Sequence, residues 1–297
     1  MRTLVVHTGG IGDLVLACPA IKTLGDAASI TLAGDVSRLR LAVDGGVAGE
    51  AVSLDSLDFH TVFSTPSKKL LTALAVFERV VVWMKDGDGT IAGVIRGCGV
   101  GDVRCFAGVP PEDWVGHASA YFLDCLGEAG VNNFRLGLSP TSGPDILMQP
   151  GSGSMKKNWP LNNFEALSEA LIAQGHGVGW CVGPAEESIA VPEGVEEFRE
   201  VDLVTVGGML AGAQCFVGND SGLGHVAATV GCPVVSMFGP TDPAVWAPWG
   251  AQVVRGHRDE WPAVDAVQVA VDRLRRGGRI IYNAGSHYET QAEWQGM

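Results

Sequence analysis

Residues 215–250 read CFVGNDSGLGHVAATVGCPVVSMFGPTDPAVWAPWG, a strand, a turn, a helix and a second strand in one run. Cys215, Phe216 and Val217 form a short apolar segment closed by Gly218 and Asn219, the pattern of a buried strand. Asp220, Ser221 and Gly222 turn the chain. Leu223 to Val230 is compact and alanine-rich, as a short helix is, and Gly231 stands where a left-handed residue ends one. Pro233 to Phe238 is a second apolar, β-branched strand, left through Gly239-Pro240-Thr241. Such a βαβ unit sets its Asp-Ser-Gly loop at a helix N-terminus. Free N–H groups and the helix dipole favour an anion there, a pyrophosphate for example. The same residues also suit an ordinary turn with Ser221 as the helix cap.

Outward from this unit the same grammar repeats. Asp145 to Met148 reads as a strand, followed by the Gly/Ser loop Gln149-Pro150-Gly151-Ser152-Gly153-Ser154 and then Met155-Lys156-Lys157-Asn158-Trp159-Pro160. Asn162 or Asn163 is expected to cap a helix from Phe164 to Gln174, stopped by Gly175. A lysine beside a Gly/Ser loop supplies a point charge next to backbone donors, the parts of a phosphate site. A lone exposed loop lysine is the plainer account. Gly179 to Val182 is the next strand, Leu203 to Ala211 a helix, Val253-Val254 a last short strand and Val264 to Arg275 an amphipathic helix.

The first half opens on a strand, Arg2 to His7, then Gly9-Gly10-Ile11-Gly12-Asp13 and an apolar helix start. This resembles a dinucleotide fingerprint but lacks its full G-x-G-x-x-G spacing. Pro19 is expected to begin a second helical segment, Pro19 to Leu24, as a first-turn proline. Ser29 to Ala33, Thr61 to Phe63 and Val80 to Trp83 are strand candidates, with Leu70 to Val76 a helix, an alternation that fits a parallel α/β sheet. Asp86-Gly87-Asp88 has no further carboxylate at metal spacing and reads as a turn. His117 to Gly127 is an amphipathic helix. Pro140-Thr141-Ser142-Gly143-Pro144 is the clearest linker, which divides the chain into residues 1–143, residues 144–276 and a tail, 277–297.

Composition narrows the class. The chain of 297 residues is 46% hydrophobic, and its 41 glycines recur after apolar strands. That is room for two ordinary domains with tight βα turns. A formal net charge of −13 argues against a nucleic-acid binder, whose affinity comes from neutralising phosphates. Seven scattered cysteines, with no C-x-x-C and no histidine at metal spacing, read as reduced thiols. No charged segment precedes an apolar leader, and no apolar run reaches spanning length. The expectation is a soluble, cytoplasmic protein.

Letter by letter, three blocks are more specific. AGAQCFVGNDSGLGHVAA (211–228) with FGPTDP and WAPWG, the P-G-S…K-x-W-P run from Pro150, and GGIGDLVLACPAIKTL (9–24) resemble the ADP-heptose:lipopolysaccharide heptosyltransferases of glycosyltransferase family 9. The resemblance is thin between residues 30 and 110. It implies a GT-B fold, two Rossmann-like domains facing each other across a cleft, and an inverting, metal-independent transfer of a heptose or related sugar from an ADP-sugar. No cofactor is implied beyond that donor. The acceptor is a lipopolysaccharide-core-like or other glycan or glycolipid, and peripheral contact with the inner face of the membrane follows from it. The catalytic base falls on Asp13, which without the resemblance reads as a helix cap. The phosphate-binding lysine aligns with Lys157, with Lys156 the register-shifted alternative. Donor contacts are carried over to Ser152, Gly153, Glu186 (with Glu187 its close second), Asp220, Ser221, Gly222, His225 and Thr241. Acceptor contacts fall on Gly10, Gly12, Lys68 and Lys69, although two solvated lysines at a helix start need no such role. A nucleotide-sugar-binding protein without transfer activity is the competing class, and a GT-B enzyme using another nucleotide sugar a third.

Overall fold

A computed structural model describes residues 1–130, 134–183, 188–257 and 260–277. Two parallel sheets carry it. The first holds β1 (Thr3–His7), β2 (Ile30–Gly34), β3 (Glu50–Ser53), β4 (Arg79–Trp83) and β5 (Asp102–Phe106) in the order β3-β2-β1-β4-β5. The second holds β6 (Ile146–Gln149), β7 (Val178–Val182), β8 (Glu196–Arg199), β9 (Cys215–Asn219), β10 (Val234–Met237) and β11 (Gln252–Val254) in the order β11-β10-β9-β6-β7-β8. Central strands are continuous apolar runs because helices cover both faces. In β1, Leu4, Val5 and Val6 are all buried; Val5 joins one apolar cluster, and Leu4 and Val6 join another on the opposite face.

The helices of the first half are α1 (Ile11–Thr23), α2 (Val36–Asp44), α3 (Lys68–Leu74), α4 (Thr90–Gly97) and α5 (Ala118–Leu126). Those of the second are α6 (Leu161–Ala173), α7 (Leu203–Gly212), α8 (Gly222–Val230), α9 (Pro243–Trp246) and α10 (Val264–Arg275). The halves meet through helices: α1 packs on α8, and α2 on α7. One apolar cluster runs through that joint, from Leu14 and Val15 to Leu223 and Val226. The segment Pro140 to Pro144 has no regular secondary structure and is pinned, its Thr141 N–H donating to the Gly208 carbonyl at 3.0 Å.

Three expectations change, and some strands go unread. Pro19 does not start a new helix; it lies inside the continuous α1. An interior proline costs about 3 kcal/mol, but Leu14 to Ile21 are all buried, and each large apolar side chain so placed contributes roughly 1.5–3 kcal/mol. Thr61 to Phe63 is not a strand but part of a 3-10 turn, Phe59–Phe63, which starts from Asp58 in the left-handed region. The Thr61 hydroxyl closes that turn by donating to the Asp58 carbonyl at 2.7 Å. Helix α6 begins before either asparagine, with Pro160 in the cap position. Edge strands β3 and β8 escape the sequence reading because Glu-Ala-Val-Ser and Glu-Glu-Phe-Arg lack an apolar run, as edge strands often do. The turn at Asp86-Gly87-Asp88 stands: Asp86 accepts from the Ile91 and Ala92 N–H groups, and Asp88 from Thr90. All seven cysteines are free thiols, four of them buried. No described helix is long and apolar enough to cross a membrane.

Candidate active site

β1 delivers the chain to the Gly9-Gly10 turn, and α1 starts at once. Only glycine fits at position 9: a Cβ there would lie 2.8 Å from Asp13 Cβ and 2.9 Å from His7 Cε1. The Gly10 N–H donates to Asp13 Oδ2 at 2.9 Å. Asp13 therefore does cap its own helix, as the plainer reading holds. That bond uses one carboxylate oxygen, and no described group bonds to Oδ1. Burial pushes the Asp13 pKa above the ordinary carboxylate value; the Gly10 N–H, Lys157 and Arg38 pull against it, and Asp220 adds to it.

The second sheet supplies the opposite wall. The Gly/Ser loop after β6 ends in a 3-10 turn, Met155–Lys157. Lys157 Nζ donates to Asp220 Oδ2 at 2.8 Å, and the Thr241 hydroxyl donates to the same oxygen at 2.8 Å. The Asp220 side chain is only 8% exposed, so this is a buried charge held by a cation and a hydroxyl. Asn219, fully buried at the end of β9, holds the loop: its Oδ1 accepts from the Trp159 N–H at 2.8 Å, and its Nδ2 donates to the Pro150 carbonyl at 2.8 Å.

Ser221 sits in the cap position of α8, but its hydroxyl donates to Gln149 Oε1 at 2.7 Å and makes no cap bond. The first N–H groups of α8 are thus without a side-chain cap, where the helix dipole favours an anion. The N-termini of α1 and α8 meet through bare glycines. A Cβ on Gly222 would reach Ile11 Cβ at 2.8 Å and Gly12 N at 3.0 Å, and one on Gly12 would reach His225 Cδ2 at 3.3 Å.

A cleft of about 360 Å³ opens above this contact. Gly10, Gly12 and Asp13 line it from one sheet; Ser152, Gly153, Lys157, Asp220, Ser221, Gly222 and His225 line it from the other. Thr241 reaches it through Asp220. The Ser152 hydroxyl is engaged within its own loop, 2.6 Å from Asn158 Oδ1. His225 is buried and its pKa falls to about 4, through burial first and the nearby His117 second, so its ring is neutral at pH 7. Lys68 and Lys69 do not line the cleft. They begin α3, which packs on the face of the first sheet opposite α1, and Lys69 lies 3.5 Å from Asp58. Glu186 and Glu187, and the tail from 278 onward, lie outside the described residues. A larger hollow of about 640 Å³, between β11 and α10, shares none of these groups. Among the described residues no group of three or more His, Cys, Asp or Glu is placed to hold a metal ion.

Sequence reasoning missed Gln149, Asn219 and Trp246, which also lines the cleft. A polar residue closing an otherwise apolar strand was the available signal for the first two.

Two parallel-sheet α/β halves that face each other across a cleft, with a glycine-rich helix start from each at its base, define a GT-B fold. Residues 127–271, just under half of the chain, are similar to the family described as "Glycosyltransferase family 9 (heptosyltransferase)". The chain is 30% identical over 133 residues to lipopolysaccharide heptosyltransferase 3 of Escherichia coli, a match covering 40% of this chain and 39% of that protein. The sequence match thus spans well under two thirds of the curated relative. Among solved structures, E. coli ADP-heptose LPS heptosyltransferase II superposes with a TM-score of 0.72 at 18% identity, covering 93% of this chain and 99% of that one. The iron-containing dodecameric glycosyltransferase TibC of enterotoxigenic E. coli gives 0.58 at 16% identity, covering 93% and 76%.

Proposed function

We propose that the protein is an inverting glycosyltransferase moving a heptose or related sugar from an ADP-sugar to a hydroxyl of a lipopolysaccharide-core-like or other glycan acceptor. One observation carries the reading: Asp13 from the first sheet faces Lys157, Asp220 and the uncapped N-terminus of α8 from the second, in one cleft. The acceptor oxygen attacks the sugar C1 and gives its proton to the Asp13 carboxylate. The C1–O bond to the β-phosphate breaks, and the diphosphate leaves with the electron pair. Lys157 and the α8 N–H groups stabilise that charge as a fixed electrostatic site, which needs no metal. Burial suits Asp13 to the task, because a carboxylate with a raised pKa is a stronger base.

In this reading residues 1–143 bind acceptor and residues 144–276 bind donor. The enzyme works in the cytoplasm, with peripheral contact to the inner face of the membrane where its acceptor is a glycolipid. Lys157 reaches the diphosphate by sharing its ion pair with Asp220, which then turns to sugar or ribose hydroxyls.

The test is calorimetric titration with ADP, UDP and GDP in EDTA, followed by transfer assays with ADP-heptose. Selective ADP binding in EDTA is expected. Binding that requires an added metal ion removes the metal-free mechanism, and preference for another base moves the donor. Asp13→Ala is expected to keep ADP affinity and lose transfer by about 100-fold or more. A nucleotide-binding protein without transfer activity would bind ADP and turn nothing over in the unaltered chain.

A further inference from the structure

The turn that presents Asp13 is held from outside by a residue of α2. Arg38 Nη1 donates to the Gly9 carbonyl at 3.2 Å. Its Nε lies 3.3 Å from Asp35 Oδ2, and Asp35 is the cap of α2, accepting from the Ser37 N–H at 3.0 Å. Gly9 in turn lies against Asp13, close enough that an added Cβ would sit 2.8 Å from Asp13 Cβ and 3.0 Å from Oδ2. Arg38, Gly9 and Asp13 are therefore one chain of contacts, anchored on the start of α2.

We infer that Arg38 is a positioning residue for the proposed base: its bond to Gly9 fixes the turn that aims Asp13 into the cleft, and its guanidinium supplies positive charge beside that carboxylate. The inference rests on the transferase reading for its kinetic consequence, but not for the contact itself.

The other groups facing Asp13 show why this charge matters. Gly10 donates from the same turn, and Lys157 faces it from the loop after β6. Asp220, after β9, faces it with opposite effect. His7 on β1 and His225 on α8 both have pKa values lowered to about 4, chiefly by burial, and carry no charge at pH 7. Two cations therefore act on Asp13 among the described residues, Lys157 and Arg38. A bound diphosphate neutralises Lys157 and adds negative charge of its own, which raises the Asp13 pKa further. Arg38 is the cation that remains to keep Asp13 ionised while donor is bound.

The experiment compares the unaltered protein with Arg38→Met and Arg38→Lys by two readouts. The first is the Asp13 carboxyl titration by 13C NMR, its signal assigned by its loss in Asp13→Asn. The second is the pH profile of kcat/KM with ADP-heptose, with ADP affinity measured alongside. In Arg38→Met the NMR midpoint and the acid limb both move up. kcat falls, and ADP affinity holds. Arg38→Lys keeps a charge without the planar fork, so it returns the midpoint but not the full kcat. A midpoint that stays in place in Arg38→Met overturns the inference. An unaltered protein that transfers nothing while its NMR midpoint still answers to Arg38 removes the transferase reading and leaves the contact standing.

Discussion

Gly222→Ala sets two opposed effects against each other at the base of the cleft. By helix propensity alone alanine is better than glycine by up to about 1 kcal/mol, so a reader of α8 in isolation expects a more stable protein. Packing says the reverse. The new Cβ would stand 2.8 Å from Ile11 Cβ, 3.0 Å from Gly12 N and 3.1 Å from Ile11 Cγ2. Bringing the first contact out to 3.4 Å parts the starts of α1 and α8 by about 0.6 Å. One of the three atoms is main chain, so a rotamer change does not relieve it. Forcing a methyl into a packed site costs about 1–3 kcal/mol, which exceeds the propensity gain at most of that range. The expected outcome is a loss of about 1 kcal/mol or more in urea unfolding. ADP affinity also falls, by about tenfold for each 1.4 kcal/mol lost at the phosphate site. Gly153→Ala is the control in the same cleft, because nothing lies within 4 Å of its added Cβ; its stability should stay within about 0.5 kcal/mol of the parent. A Gly222→Ala protein as stable as the parent, with unchanged ADP affinity, would refute the close joining of the two helix starts.

Asn219→Ala leaves the buried Trp159 N–H without its acceptor and the Pro150 carbonyl without its donor; we expect about 2–3 kcal/mol of lost stability and weaker ADP binding, both readable by calorimetry. His7 and His225 have folded-state pKa values near 4 against an ordinary 6.5, so the unfolded chain binds more protons between those values. Their contribution is fully present above about pH 6.5 and lost as pH falls towards 4, a drop on the order of a few kcal/mol. Urea midpoints across that range should fall with acid, and should fall less steeply in His7→Asn.

Much of the fold was legible because its strands are buried on both faces and therefore read as unbroken apolar runs. β1, β4, β6, β7, β9 and β10 all announce themselves this way, and glycines at 127, 175 and 231 mark helix ends through positive φ. The edge strands β3 and β8 did not, since an edge is half solvent and its residues are charged or small. Pro19 misled because local propensity is a weak term beside a helix buried along most of its length. The site was legible where glycines and a charge stood together. Its fastening was not. Asn219 and Gln149 act through partners about 60 to 70 residues away, and Arg38 through a carbonyl 29 residues away; no local pattern encodes such pairings.

Asp13 shows why a capping reading and a catalytic one need not exclude each other. A carboxylate in the first turn of a helix is held by the dipole and by a main-chain donor, here the Gly10 N–H on Oδ2. That bond fixes the rotamer of the whole side chain and so fixes the second oxygen as well. A base used in a displacement must be aimed before the acceptor arrives, because reorganising it at the moment of reaction adds to the barrier. The cap is that aim. It also lowers the carboxylate's basicity, while burial raises it, so the helix start supplies orientation and the closed cleft supplies base strength. Loss of Arg38 leaves the cap bond but frees the turn that carries it, so kcat reads the lost aim while the Asp13 titration reads the lost charge.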